Sequence, residues 1–436
     1  MKKFTLTILL LIIIPCIVRS QIKIGLALPL MTGSSDEAEK MTGTQMLNGI
    51  KDALEDYNKS GSGVKISTVT EDTKKNQSAT LDILNKFGSD SSVIAVLGPV
   101  YSSELVNNTG AALFHKIPVI TPTATLNNLA KNNPYVFQLN PTYDVRGRLI
   151  AIYAMNELGM KNFVILSENA YGKNFADSFS DEVLKNKGTV ELTEYYSKDS
   201  VSVSGQIENI KKFIFEKDKF IDFGKLTANQ NDKLKSLKYD YSDFSRLKAE
   251  GAVISIYRLF GKNAVRIMDS LKIFPSVITE MKSVIPGYVN AVYIPVSGNE
   301  DIKAILPLYL ASGINLPILG NSDWNNSEAL TEYGTGNTEL YYDSDFYLKD
   351  DADINNRGLS EQEIKNYYFG YDAMKLILDK ISEGNKSRQS LNNALEALKN
   401  YISLHNRITL SERTNHSMSV MNFKNGILKK VSDYEY

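Results

Sequence analysis

One cysteine, Cys16, is all the chain has, and it falls inside the N-terminal apolar segment. A mature form without that segment has no disulfide and no thiolate for a soft metal site. A chain of this length buries enough core to fold without either. Histidine is nearly as scarce: His115, His405 and His416 are scattered and form no cluster. Also missing are a GxSxG elbow, an HExxH pair, a Walker A loop and a GxGxxG turn. With no catalytic constellation, the chain reads as a non-enzyme that needs no cofactor and no metal. Charge of neither sign prevails, since 49 Lys and Arg meet 50 Asp and Glu. Without Lys2, Lys3 and Arg19 the balance is 46 against 50, a net charge of −4. No basic face is indicated, so nucleic acid is not expected as a partner. After residue 20 no apolar run is long enough to span a bilayer, so stable membrane insertion is not expected.

What is present begins with a targeting segment over residues 1–20. Lys2 and Lys3 supply its charged start, Phe4 to Val18 its apolar core, and Val18-Arg19-Ser20 a cleavage site. Pro15 precedes Cys16 where lipid attachment needs a small residue, so a lipid anchor is not expected. Export with cleavage before Gln21 is. With 43% hydrophobic and 23% charged residues, the chain has the composition of a soluble globular protein. Its length suits two domains.

The most informative stretch is Ser91 to Thr125. Val93 to Leu97 is a short apolar run, as in a strand buried on both faces. Ser102-Ser103-Glu104 follows, then a helical pattern through Leu105, Ala111, Ala112 and Leu113. Ile117 to Thr121 repeats the strand, Thr123-Ala124-Thr125 the polar loop, and a second helix is expected from Leu126. A parallel βαβ unit is the simplest geometry for this order, and ligands bind beyond the carboxyl ends of such strands. Two helix N-termini flanked by hydroxyls would receive a carboxylate. Helix capping alone also explains any one of these Ser or Thr residues.

Strand and helix alternate on both sides of this stretch. Gln21 to Leu30 and Val64 to Thr70 read as strands, Gln45 to Tyr57 and Ser78 to Phe87 as helices, and Tyr135 to Leu139 as a strand. A second series starts after Asn140-Pro141-Thr142, with strands at Asn162 to Leu166 and Thr189 to Tyr196. The alternation predicts an α/β protein of two similar doubly wound lobes. Ser417 to Phe423 and Ile427 to Val431, split by Asn425-Gly426, predict a terminal hairpin. The acids Asp36, Glu37 and Glu39 read as a solvated loop.

At this point the chain resembles the Leu/Ile/Val (branched-chain amino acid)-binding proteins, a branch of the type I periplasmic solute-binding proteins. The matching pieces include IKIGLALPLMTG, IAVLGPVYSS, IPVITPTAT, PYVFQLNPT, VILSENAYGKNFA, VNAVYIPVSGNED, LPILGNSDW and FGYDAMKLI, in the family's order. They cover most of residues 22 to 200 and 272 to 436. The resemblance implies two Rossmann-like lobes joined by three crossover strands and closing on a ligand. It places lobe 1 at 21–141 and 321–414, and lobe 2 at 142–320 and 415–436. By the same resemblance Ser102, with Ser103 beside it, and the loop residues Thr123 and Thr125 meet the ligand carboxylate. Tyr171 belongs to the second lobe's YG turn, and Glu300 to the place of the acid that pairs with the ligand amine. Trp324, the only Trp, is read either as cleft lining or as ordinary packing.

Residues 205 to 271 exceed what the family needs there and are expected to be a solvated insertion in the second lobe, with the family helix resuming at Phe274 to Lys282. The function implied is an extracytoplasmic, monomeric binding protein for an amino acid or related small carboxylate, feeding an ABC permease from the periplasm. The alternative is a non-transport ligand-binding module that acts as a sensor or activator of an envelope partner. A hydrolase on a similar fold lacks its nucleophile elbow.

Overall fold

The computed structural model describes residues 22–61, 64–198, 202–236, 249, 251–272, 285–325, 327–336, 338–347, 358–405 and 407–435. The targeting segment with Cys16 and the expected helix at Phe274 to Lys282 lie outside the described residues.

The first lobe starts with β1 (Ile22–Leu28), α1 (Glu37–Lys59), β2 (Ile66–Asp72), α2 (Gln77–Ser89), β3 (Val93–Leu97), α3 (Ser102–Leu105), α4 (Thr109–His115), β4 (Val119–Thr121) and β5 (Val136–Gln138). All five residues of β3 are buried, as its unbroken apolar run requires. The helix α1 begins well before Gln45, because Asp36 caps it by accepting from Ala38 N at 2.9 Å. Glu37 and Glu39 fill its first turn, so the acidic cluster is a helix start rather than a loop.

The second lobe follows with α5 (Tyr143–Asn156), β6 (Asn162–Glu168), α6 (Tyr171–Lys185), β7 (Thr189–Tyr196) and α7 (Ser204–Lys217). Ile207, Ile210 and Ile214 of α7 pack into the lobe core, so α7 is the crossover helix and the insertion comes after it. The insertion holds β8 (Phe220–Asp222), α8 (Ala228–Ser236), β9 (Val253–Ser255), α9 (Ile256–Phe260) and α10 (Ala264–Leu271). It is not merely solvated: Phe223, Leu234, Ile256, Phe260, Ile267 and Leu271 build a small core of their own. Asp218 closes its neck, accepting from Ser255 Oγ at 2.6 Å, Gly287 N at 2.6 Å and Tyr288 N at 3.1 Å.

Next come β10 (Ala291–Tyr293), α11 (Asn299–Ser312), β11 (Ile318–Gly320), α12 (Ser327–Tyr333) and β12 (Leu340–Ser344). Both β11 and β12 belong to the second sheet, so the chain returns to the first lobe near Asp345 and not at residue 321. The apolar pattern of β12 identifies a strand but not which sheet's edge it extends; α12 carries the chain back to pair it with β11. The first lobe is then completed by α13 (Glu361–Ser382), α14 (Arg388–Glu396), the short β13 (Tyr401–Ile402) and β14 (Arg407–Ile408), and β15 (Leu410–Ser411) and β16 (Thr414–Asn415). The chain ends in the second sheet with β17 (Ser417–Lys424) and β18 (Ile427–Glu435). Asn425 and Gly426 between them have φ of 52° and 75°, the left-handed pair of a type I′ hairpin turn.

The two seven-stranded sheets run β15-β16-β5-β4-β3-β1-β2 and β18-β17-β12-β11-β10-β6-β7. Helices cover both faces of each sheet, the layout of a doubly wound α/β lobe. The long helices α1 and α13 touch backbone to backbone. A Cβ at Gly49 would lie 2.0 Å from Tyr367 O, and one at Gly370 would lie 2.2 Å from Met46 O. This contact fixes which face of α13 turns toward the second lobe.

The chain crosses between lobes three times, near Asn140, Asp345 and His416. Asn140 Nδ2 donates to Asp345 Oδ2 at 3.1 Å, joining the first crossing to the second. Asn415 Nδ2 donates to Leu139 O at 3.1 Å and Ser417 O at 3.2 Å, joining the first to the third.

Candidate functional site: a polar cleft between the lobes

A cleft of about 590 Å³ lies between the lobes at the carboxyl ends of their parallel strands. Ser102, Ser103, Thr123, Thr125 and Tyr171 all line it. Glu300 does not. It lines a separate hollow of about 330 Å³ with Tyr196, Lys198 and Asp301. Glu300 sits in the first turn of α11, where an acid favours the helix N-terminus, and that local role accounts for it.

The first-lobe wall is made of hydroxyls on short loops. Ser102 Oγ accepts from Thr125 N at 3.0 Å and Leu126 N at 3.1 Å, so it ties the loop after β4 to the loop after β3. Both acceptances leave its proton free to donate. Thr123 Oγ1 donates to Val100 O at 2.7 Å. The expected pair of helix N-termini is absent. α3 has only four residues, and Glu104 occupies its start by accepting from Tyr101 N at 2.9 Å. After Thr125 the chain turns instead of forming a helix, with Asn128 at φ 67°. Asn127-Asn128 and Asn132-Asn133-Pro134 are turn formers, and they override the helical start read at Leu126. Recognition at this wall therefore rests on hydroxyls and not on helix dipoles.

The second-lobe wall and the floor hold charge. Tyr171 Oη donates to Asp323 Oδ2 at 2.8 Å, and Asn321 Nδ2 donates to the same oxygen at 2.8 Å. Burial raises the pKa of Asp323, partly offset by the Tyr171 hydrogen bond and by the charges of Arg146 and Lys365. Burial and the neighbouring Asp323 raise Tyr171 far above the usual phenol range, so it stays a donor. Trp324 beside them is fully buried and donates to Ile294 O at 2.7 Å, so it packs and does not line the cleft.

On the floor, Arg146 of α5 is only 3% exposed. It donates to Pro141 O at 3.0 Å, Asn140 Oδ1 at 2.8 Å, Asp345 Oδ2 at 3.0 Å, and Ser322 Oγ. Lys365 of α13 donates to the other oxygen of Asp345 at 2.7 Å. One carboxylate at a lobe crossing thus holds a cation from each lobe. Burial opposes its ionisation, yet Lys365 and Arg146 keep Asp345 charged, well below the usual carboxylate range. Asp343, two residues earlier, is wholly buried, and among the described residues neither of its oxygens meets a donor from another residue. Burial pushes it up to about 8 in spite of the nearby Arg146. Sequence reasoning missed Arg146, Asp345 and Lys365.

Two α/β lobes are thus joined by three crossings, with a polar cleft between their strand ends. Residues 21–213 match the family model described as periplasmic binding protein, and the fold is that of the type I periplasmic binding proteins. Solved structures match nearly end to end. A branched-chain amino acid ABC transporter periplasmic ligand-binding protein from Burkholderia xenovorans is 13% identical, with 95% of this chain and 96% of that one covered and a TM-score of 0.61. The transporter substrate-binding protein LivJ from Streptococcus pneumoniae, in complex with isoleucine, is 17% identical over 95% and 99%, TM-score 0.53. A solute-binding protein of an ABC transporter from Rhodopseudomonas palustris, in complex with 3,4-dihydroxybenzoic acid, is 13% identical over 95% and 98%, TM-score 0.54. No curated protein matches the chain by sequence.

Proposed function

We propose that this chain is exported to the periplasm, cleaved before Gln21, and captures an amino acid or related small carboxylate between its lobes for an ABC importer. The observation that carries the reading is the opposition of the two walls. The hydroxyls of Ser102 and Thr125 suit a carboxylate, and across from them the Tyr171–Asp323 pair suits an ammonium group. Asp323 Oδ2 already accepts two hydrogen bonds, so Oδ1 is the atom for the ligand amine. An incoming cation would also favour the charged form that burial disfavours. Only a state with the lobes together lets both walls touch one small ligand, so ligand favours closure.

The test is calorimetric titration of the mature chain with amino acids. Saturable binding is expected, with about 2.7 kcal/mol of added stability at ~100 times the Kd. Asp323→Asn should weaken binding roughly 10- to 100-fold. Failure of every amino acid and small carboxylate to bind would sink the reading. The second reading is a sensor or activator without transport. It is favoured by the insertion's own folded core, which gives the second lobe a module that ligand capture does not use. Permease and ATPase genes beside this one would decide for import.

A further inference from the structure

The helix α13 presents Gln362, Lys365, Asn366 and Phe369 to the cleft, the i, i+3, i+4, i+7 stripe of one helical face. The backbone contact with α1 at Gly370 locks that face in place. Lys365 is committed to Asp345. Asn366 is buried, yet among the described residues its Nδ2 meets the thioether of Met41 at 3.1 Å and no stronger acceptor. Gln362 lies one turn away at the exposed end of the same stripe. Apolar lining is sparse, coming from Met46, Val100 and Phe369.

Resting on the amino-acid reading above, we infer that the ligand carries a neutral hydrogen-bonding side chain, an amide or a hydroxyl, and not a branched aliphatic one. An aliphatic side chain against this stripe would seal the Asn366 amide from water without giving it a partner, and a site built to hydrogen-bond rejects such a ligand. Arg146 and Lys365 both bond Asp345, and the three together keep one net positive charge, which opposes a cationic side chain; an acidic one would have to compete with Asp345 for the same two cations. The inference sets this cleft apart from the relative that holds isoleucine.

The experiment titrates the mature chain with glutamine, asparagine, serine and threonine, and in parallel with leucine, isoleucine and valine. At least one amide or hydroxyl amino acid should bind roughly tenfold or more tightly than every aliphatic one. An aliphatic amino acid that binds as well or better overturns the inference and leaves the amino-acid reading standing. Binding by none of the seven, while another amino acid or small carboxylate binds, overturns the inference alone; binding by no amino acid or small carboxylate removes the amino-acid reading with it. Asn366→Leu should shift the polar-to-aliphatic affinity ratio by about tenfold toward the aliphatic ligands. Gln362→Leu, at an exposed position that does not threaten folding, should shift it the same way by less. Ratios unchanged in both variants would overturn the assignment of selectivity to this stripe.

Discussion

The two sides of the cleft solve different problems with different chemistry. The first-lobe wall uses neutral hydroxyls on loops, each engaged with nearby backbone: Ser102 with Thr125 N and Leu126 N, Thr123 with Val100 O. The floor uses buried ions drawn from both lobes and a crossing: Arg146, Asp345 and Lys365. The hydroxyl wall can be altered with modest loss, because water or a ligand can replace each bond. The ionic floor cannot, because removing Asp345 would leave Arg146 buried without its counter-ion, and removing Arg146 would leave Asp345 with one cation of its two. Affinity and architecture are thus separated within one cavity.

The largest expected effect breaks the floor. Arg146→Gln should destabilise the fold by about 3–5 kcal/mol, since Asp345 loses its fully buried counter-ion and keeps only the partly exposed Lys365. Denaturant melts measure this, and a loss below about 1 kcal/mol would mean the floor is no stronger than the surface. Next is the pH dependence that Asp343 imposes. Its folded pKa, about 8, lies above the ordinary 3.8, so the folded state holds a proton that the unfolded state releases. Stability from this group is present at low pH and declines as pH climbs through that window, by at most about 1.4 kcal/mol per pH unit. Asp343→Asn should flatten the decline between pH 5 and pH 8; an unchanged slope would show that Asp343 is already ionised.

Smaller effects sharpen the contrast at the hydroxyl wall. Ser102→Ala strands two backbone N–H groups, so it should lose about 1–3 kcal/mol of stability as well as affinity. Thr125→Ala should lower affinity roughly 10-fold with stability nearly unchanged. If Thr125→Ala keeps its affinity, that hydroxyl is no ligand contact. The smallest expected effect is at Glu300. Glu300→Gln should leave binding unaltered and move stability by no more than about 0.5 kcal/mol, and a tenfold loss of affinity would restore it to the site.

The parallel strands were legible because β1 and β3 are apolar runs bounded by Gly, Pro and Ser, a signal that needs no tertiary context. Ser102 and Thr125 stood out because ligands meet the strand ends in such folds, whereas Tyr171 was reached only through the family resemblance. Arg146 was not legible, because an Arg on a helix reads as solvated. Its partners Asn140, Ser322 and Asp345 are assembled only by the crossings. The insertion's core was hidden for a related reason. Phe223, Leu234 and Phe260 are spread through Lys-rich sequence, and only the β8–β9 pairing gathers them.

The bonds that Asn140 and Asn415 make between crossings bear on how the molecule moves. Three separate linkers would allow the lobes to twist, slide and bend independently. Bonded to one another at Asp345, Leu139 and Ser417, they share a single pivot. If the lobes close on ligand as proposed, they would turn as two arms of a lever on that pivot, and a small rotation at the joint would become a long arc at the mouth of the cleft. The amides of two asparagines thereby couple the three crossings, so that a movement at one would be felt at the others.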